Sequence, residues 1–172
     1  MIFKGFKVKS NQKYVNKLLE ARKVAINTNK IKTFGVILNS EEFHNSDSFQ
    51  SFFEEINAGV QGHKIVTFIN DHEPNQSAWQ TQFTSKDFGW RGKVKNVELQ
   101  TFLDTKFDVL IGYFKKDILE LKLATALSNA NFKIGVSRAD DRLYDLIIDV
   151  NPSEFDVFKT ELVKYLNILN KL

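Results

Sequence analysis

The chain has 172 residues, 42% of them hydrophobic and 26% charged, a size and balance that suit one globular domain with a sizeable core and exclude a disordered or fibrous chain. Its formal net charge is +3, and it has no cysteine, which excludes disulfides, thiolate metal sites and cysteine nucleophiles. No apolar run approaches the roughly 18 to 20 residues of a membrane-spanning helix, and the lysines of MIFKGFKVKS interrupt the apolar region a secretory signal needs, so the expected location is the cytoplasm.

The charge is unevenly spread. Residues 1–32 hold nine cations, Lys4, Lys7, Lys9, Lys13, Lys17, Arg22, Lys23, Lys30 and Lys32, against one acid, Glu20, so the rest of the chain is net negative despite the overall +3. A helical pattern runs from about Asn11 to Ile26, with Tyr14, Leu18 and Ala25 beside Val15, Leu19 and Ile26 on one broad face. The expected organisation is a basic N-terminal helical arm over 1–30 and a single α/β domain over 31–172. Two readings of the arm are open. It is a docked helix with a solvated lysine face, or Lys4, Lys7, Lys9, Lys13, Lys17, Arg22 and Lys23 contact a polyanion, RNA or an anionic membrane surface.

Thr33 to Leu38, TFGVIL, reads as the first core strand. Phe49, Phe52, Phe53 and Ile56 then fall at i, i+3, i+4 and i+7, a helix expected to end near Ala58-Gly59, and the turn-like Gln61-Gly62 leads to a second strand over 64–69, KIVTFI. The connection over 70–96 is long for a compact domain. It is expected to hold a short extended piece near Gln82 to Thr84 and a glycine-assisted turn over Phe88 to Gly92, with a short helix near Val97 to Leu103 following. From Phe107 to Val150 the apolar runs FDVLIGY, FKIGV and DLIIDV bracket a helix in which Ile118, Leu119, Leu121, Leu123, Ala124 and Leu127 are apolar almost all round, so that helix should be well buried. Asn151-Pro152-Ser153-Glu154 has helix-start chemistry, and Phe155, Phe158, Leu162, Tyr165, Leu166 and Leu169 keep helical spacing to the end, a helix expected to cover one face of the sheet. Short, strongly apolar strands joined by helices imply a parallel sheet buried on both faces. The expected fold is a three-layer α/β domain, Rossmann-like or flavodoxin-like, with a mainly parallel four- or five-stranded sheet and a basic N-terminal helix.

Little in the chain points to catalysis. A dinucleotide fingerprint needs Gly-x-Gly-x-x-Gly after a strand, but the first strand is followed by Asn39-Ser40-Glu41-Glu42. Gly92-Lys93 is followed by Val94, so the hydroxyl of a phosphate loop is missing. His44, His63 and His72 have no metal-ligand spacing, and no Gly-x-Ser-x-Gly elbow is present. No catalytic residue, metal or cofactor is expected. If the strands are parallel, their C-terminal ends gather Asn39, Asp71, His72, Tyr113, Lys115, Arg138, Asp140 and Asp141 along the edge where open α/β sheets bind small ligands. The run Arg138 to Arg142 reads equally as a self-paired surface loop. Between Lys86 and Lys93, the aromatic Trp90 with Lys86, Arg91 and Lys93 combines a stacking surface with cations, suited to a base or sugar and its phosphate. The alternative for Trp90 is a packing cap on the sheet edge with its indole N–H hydrogen-bonded.

Lys4-Gly5-Phe6, Lys86-Asp87-Phe88-Gly89-Trp90, Phe107-Asp108 before Leu110-Ile111, Phe132-Lys133-Ile134-Gly135 and Asp145-Leu146-Ile147-Ile148 carry a resemblance over nearly the whole length. On these residues the chain resembles an uncharacterised Bacteroidota family of short α/β proteins, a domain of unknown function. The resemblance implies no catalytic residues. Over Phe107 to Gly135 alone, the chain is also similar to the N-terminal Rossmann-like domain of heptosyltransferase-type glycosyltransferases, a likeness of fold that implies no activity by itself. The leading expectation is a non-catalytic binding or scaffold protein whose Lys-rich arm contacts RNA, a ribonucleoprotein or a membrane surface, with a protein partner also open. Its rival is a small-ligand-binding or glycosyltransferase-like enzyme that uses the C-terminal edge of the sheet.

Overall fold

The computed structural model describes residues 2–56, 62–71 and 80–172. Among these residues the short apolar runs form six parallel strands: β1 (Thr33–Asn39), β2 (Gly62–Phe68), β3 (Thr81–Phe83), β4 (Val109–Tyr113), β5 (Phe132–Gly135) and β6 (Leu146–Ile147). Among the described residues the sheet has six strands rather than the four or five expected, because the extended piece within the long connection pairs with Val66 to Phe68 and becomes an edge strand. The helices are α1 (Ile2–Ala21), α2 (Asp47–Ile56), α3 (Val97–Asp104), α4 (Leu119–Leu127) and α5 (Phe155–Ile168). Expectations placed on Ala58-Gly59, Gln61 and His72 lie outside the described residues.

Strand order is β3-β2-β1-β4-β5-β6. This is the Rossmann order, not the flavodoxin one, and its topological switch point lies between β1 and β4. Side chains alternate across the sheet. Phe34, Val36 and Leu38 of β1, Val109, Ile111 and Tyr113 of β4, and Phe132 and Ile134 of β5 pack with α2 and α5. Ile37 and Leu110 face the other way, among residues of α1, α3 and α4. On that second face the ring of Tyr144 lies over Gly112 and Gly135. A Cβ at Gly135 would stand 2.4 Å from the Tyr144 ring, so glycine there is a requirement of close approach.

The near-continuous apolarity of α4 now has a cause: one side meets the sheet and another meets α1. The N-terminal helix runs from Ile2 to Ala21, not from Asn11 to Ile26 as the periodicity predicts. Only Asn11, Val15 and Leu19, spaced four apart, are buried on it. Val24 and Ile26 are exposed, because the chain leaves α1 to reach Ile31, which packs with α5 against the opposite face and donates its N–H to the Lys171 carbonyl at 2.9 Å. Asn151 to Glu154 forms a reciprocally bonded turn, Ser153 N to Asn151 Oδ1 at 3.1 Å and Asn151 N to Glu154 Oε2 at 2.9 Å, so α5 starts at Phe155, just past Pro152. Among the described residues no helix is long and apolar enough to cross a membrane.

Candidate polyanion-binding surface

The switch point is where a Rossmann sheet offers backbone amides to an anionic ligand. Here the chain's own carboxylate takes them. Glu42, in the loop after β1, accepts from the backbone N–H of Lys115 at 2.8 Å and of Lys116 at 3.1 Å, just before α4, and its other oxygen accepts from Asn39 Nδ2 at 2.7 Å. The surrounding charges are also paired. Lys116 meets Glu41, holding that carboxyl below its usual range and its own ammonium above it. Lys115 reaches Asp149 at 2.9 Å and Arg138 reaches it at 3.3 Å, and hydrogen bonding from Lys115 lowers the Asp149 carboxyl in turn. Replacing Glu42 by Ala should remove three charge-assisted bonds from a half-buried loop and cost about 1–2 kcal/mol. An unchanged urea midpoint in that variant would show that the loop holds without it.

The other expected edge residues are dispersed. Tyr113 is a core residue: it is fully buried, its hydroxyl donates to the Pro152 carbonyl at 3.0 Å, and Phe43, Phe49, Phe155 and Phe158 surround its ring. Its side chain follows the alternation of β4 toward α5 instead of the strand end, and burial, then the Glu154 charge, pushes its hydroxyl pKa up. Asp71 accepts from Ser85 Oγ at 3.2 Å. Asp140 is held by Arg142 at 2.8 Å, the self-paired loop reading, and Asp141 opens a short turn at Asp141–Leu143. A cavity of about 430 Å³ does open at the ends of β1 and β2, lined by Ser40, His44, Ser46, Thr67, Gln80 and Gln82 among others, but, among the described residues, by none of those expected at the edge. Among the described residues no group of three His, Cys, Asp or Glu is placed to hold a metal ion.

The tertiary structure instead joins the two basic segments that the sequence kept apart. The turn over Ser85 to Val94 docks on α1: Gly92 N donates to Asn11 Oδ1 at 2.9 Å, and Lys7 Nζ donates to the carbonyls of Phe88 at 3.1 Å and Ser85 at 3.4 Å. Gly92 has φ +66 and its Cα lies so close to Tyr14 that a Cβ would stand 2.7 Å from the ring. Arg91 beside it is also left-handed, at φ 52 and ψ 41, an uncommon state for a side-chain-bearing residue. Trp90, at 51% exposure, is presented to solvent rather than packed as a cap. Lys93 is exposed too, and Lys86, 76% exposed, makes only a loose 3.7 Å pair with Asp71.

Not every cation expected on the arm is free. Lys7 is spent on the turn, and Arg22 closes an ion pair at 2.5 Å with the almost fully buried carboxylate of Asp145. Lys4, Lys9, Lys13, Lys17 and Lys23 are exposed and form no ion pair among the described residues. Lys9, Lys13 and Lys17 sit two positions from Asn11, Val15 and Leu19, which on a helix puts them on the face turned away from the body. Their spacing of four residues is a rise of about 6 Å per step.

A family of unknown function (DUF6913) matches residues 7–169. The chain belongs to that family. No curated protein and no solved structure matches it. The DUF6913 span takes in every strand among the described residues, the docked part of α1 and the Trp90 turn; of the residues that carried the resemblance, Lys4-Gly5-Phe6 lies just ahead of it and the others lie within. Sequence reasoning missed Glu42 and Asp145, whose partners lie 73 and 123 positions away. The signal for Glu42 was present as an acid in the position where a nucleotide-binding loop keeps glycine.

Proposed function

We propose that this DUF6913 protein is a non-catalytic, cytoplasmic binding protein that applies the outward face of α1 to a polyanionic partner. The observation that carries the reading is the row Lys9, Lys13 and Lys17, exposed, unpaired among the described residues and turned away from the body, with no acid before Glu20. Lys4 and Lys23 are exposed as well but lie off the row, Lys4 on the side of Lys7 and Asn11 and Lys23 beyond the end of α1. The rival reading, a small-ligand-binding or glycosyltransferase-like enzyme at the sheet edge, needs free amides and cations at the switch point, where Glu42, Glu41 and Asp149 now engage them.

Binding through phosphates releases counterions, so log affinity for RNA should fall linearly with log salt, with a slope of roughly 0.7–0.9 per contacting lysine. Changing Lys9, Lys13 and Lys17 together to Gln is expected to weaken binding and to reduce that slope by about 2–3 while the circular dichroism spectrum stays unchanged. RNA and anionic vesicles are to be titrated side by side at low salt. If the wild-type chain binds neither, the lysine row is ordinary solvated surface and the reading fails.

A further inference from the structure

The first turns of α1 carry large apolar side chains where a solvated lysine arm has no use for them. Phe3 is 79% exposed, Ile2 76%, Phe6 56% and Val8 45%. Ile2 and Phe6 continue the stripe of Lys9, Lys13 and Lys17, so one helix face is apolar at its tip and cationic along its length. The turn that carries Trp90 is fastened to α1 through Lys7 and Asn11, within about two helical turns of Phe3 and Phe6. Exposed cations accompany the aromatic side chains on both segments: Lys4 and Lys9 on α1, Lys86, Arg91 and Lys93 on the turn. Asp87, the acid of the turn, is committed to capping Thr84, whose N–H it accepts at 2.7 Å.

From this juxtaposition we infer that the tip of α1 and the Trp90 turn form a docking face for an anionic lipid membrane surface. The inference rests on the polyanion reading above and names the partner class. Exposed phenylalanine and isoleucine forfeit burial that an acyl boundary restores, and aromatic side chains flanked by lysine and arginine suit the headgroup region, where a ring rests at the apolar boundary and the cation meets phosphate. A nucleic acid backbone gives Ile2 and Val8 nothing to contact. A second copy of the chain would bring the same cations together, whereas an anionic bilayer complements them. The left-handed backbone of Arg91 turns the chain sharply between Trp90 and Gly92, so that Trp90 and Arg91 lie at the tip of a turn held to α1.

The test uses the full chain with Trp79→Phe, so that Trp90 is the sole tryptophan, and vesicles of phosphatidylcholine containing roughly one third phosphatidylserine. The expected result is co-flotation with these vesicles, much weaker association with pure phosphatidylcholine, and a blue shift of Trp90 emission on binding. Phe3→Ser with Phe6→Ser should lower the partition coefficient roughly tenfold or more and leave the fold intact, both residues being exposed. Lys9, Lys13 and Lys17 to Gln should weaken binding separately, in a salt-dependent manner. If RNA binds with a lysine-dependent slope while vesicles do not, the membrane inference falls and the polyanion reading stands. Vesicle binding that ignores the Phe3 and Phe6 changes and leaves Trp90 emission unmoved is adsorption of charge alone, and it overturns the inference as well. Self-association abolished by Phe3→Ser and Phe6→Ser, without vesicle binding, would assign the face to a second copy.

Discussion

Phe158→Ala is expected to cost about 3–5 kcal/mol of folding stability, the range for deleting a buried aromatic side chain and leaving a cavity. Phe158 has no exposed surface, and its ring lies 4.8 Å from that of Tyr113 and 6.2 Å from that of Phe49. These rings join α5, α2 and β4 into one cluster, so the cavity opens where three elements meet and none can move in alone to fill it. Edge-on contacts of this kind add about 0.5–1.5 kcal/mol beyond burial. A domain of this size has about 5–15 kcal/mol in total, so the loss is a large share of it. Urea unfolding of the variant beside Val157→Ala, the exposed neighbour on the same helix, measures it. A shift at Phe158 no larger than that at Val157 would refute the placement of α5 on the sheet.

The second large effect is a pH dependence carried by Lys133. Its side chain points into the α4 face, is 5% exposed, and its ammonium donates to the carbonyls of Thr125 at 2.7 Å and Ala126 at 3.5 Å near the end of α4. A cation there satisfies carbonyls that the helix leaves open and opposes its dipole. Burial, followed by the nearby Arg22 guanidinium, pushes Lys133 from its ordinary 10.5 down to about 8, with Asp145 acting in the opposite direction. At pH 7 the ammonium is charged in the folded and unfolded chain alike. Between about pH 8 and 10.5 the folded protein has released the proton while the unfolded chain still holds it, so stability contributed by this group rises with pH across that window. Integrated, the rise is about 3 kcal/mol. The measurement is the stability of wild type minus that of Lys133→Met from pH 7 to 10.5. Tyr113 and Tyr144, both raised by burial, lose stability at the alkaline end in both proteins and cancel in the difference. A difference that is flat with pH would mean that Lys133 titrates as it does in water.

Much of the architecture was legible because its signals are local. The short, near-continuous apolar runs TFGVIL and FDVLIGY mark strands buried on both faces, and the spacing of Phe49, Phe52, Phe53 and Ile56 marks a helix, whatever lies elsewhere in the chain. The near-continuous apolarity of α4 pointed to deep burial, although the layer that buries its outer side, α1, was not identifiable. The periodicity starts and ends the N-terminal helix too late, because Val24 and Ile26 extend the helical period past Ala21, while Ile2, Phe3 and Phe6, being exposed, give no core signal.

By itself, then, the sequence determined the parallel α/β order, the covering helix α5, the surplus of cations before Thr33 and the lack of any glycine-rich phosphate loop. Which charges remain free was decided by the tertiary structure. Arg22 and Asp145 are 123 positions apart, Lys115 and Glu42 are 73 apart, and Lys7 and Phe88 are 81 apart, so each pairing exists only once the strand order has set β1 beside β4 and β6 at the far edge. Periodicity reports how a residue faces its own element over a few neighbours; pairing between charges falls off with distance through solvent and depends on which elements end up adjacent.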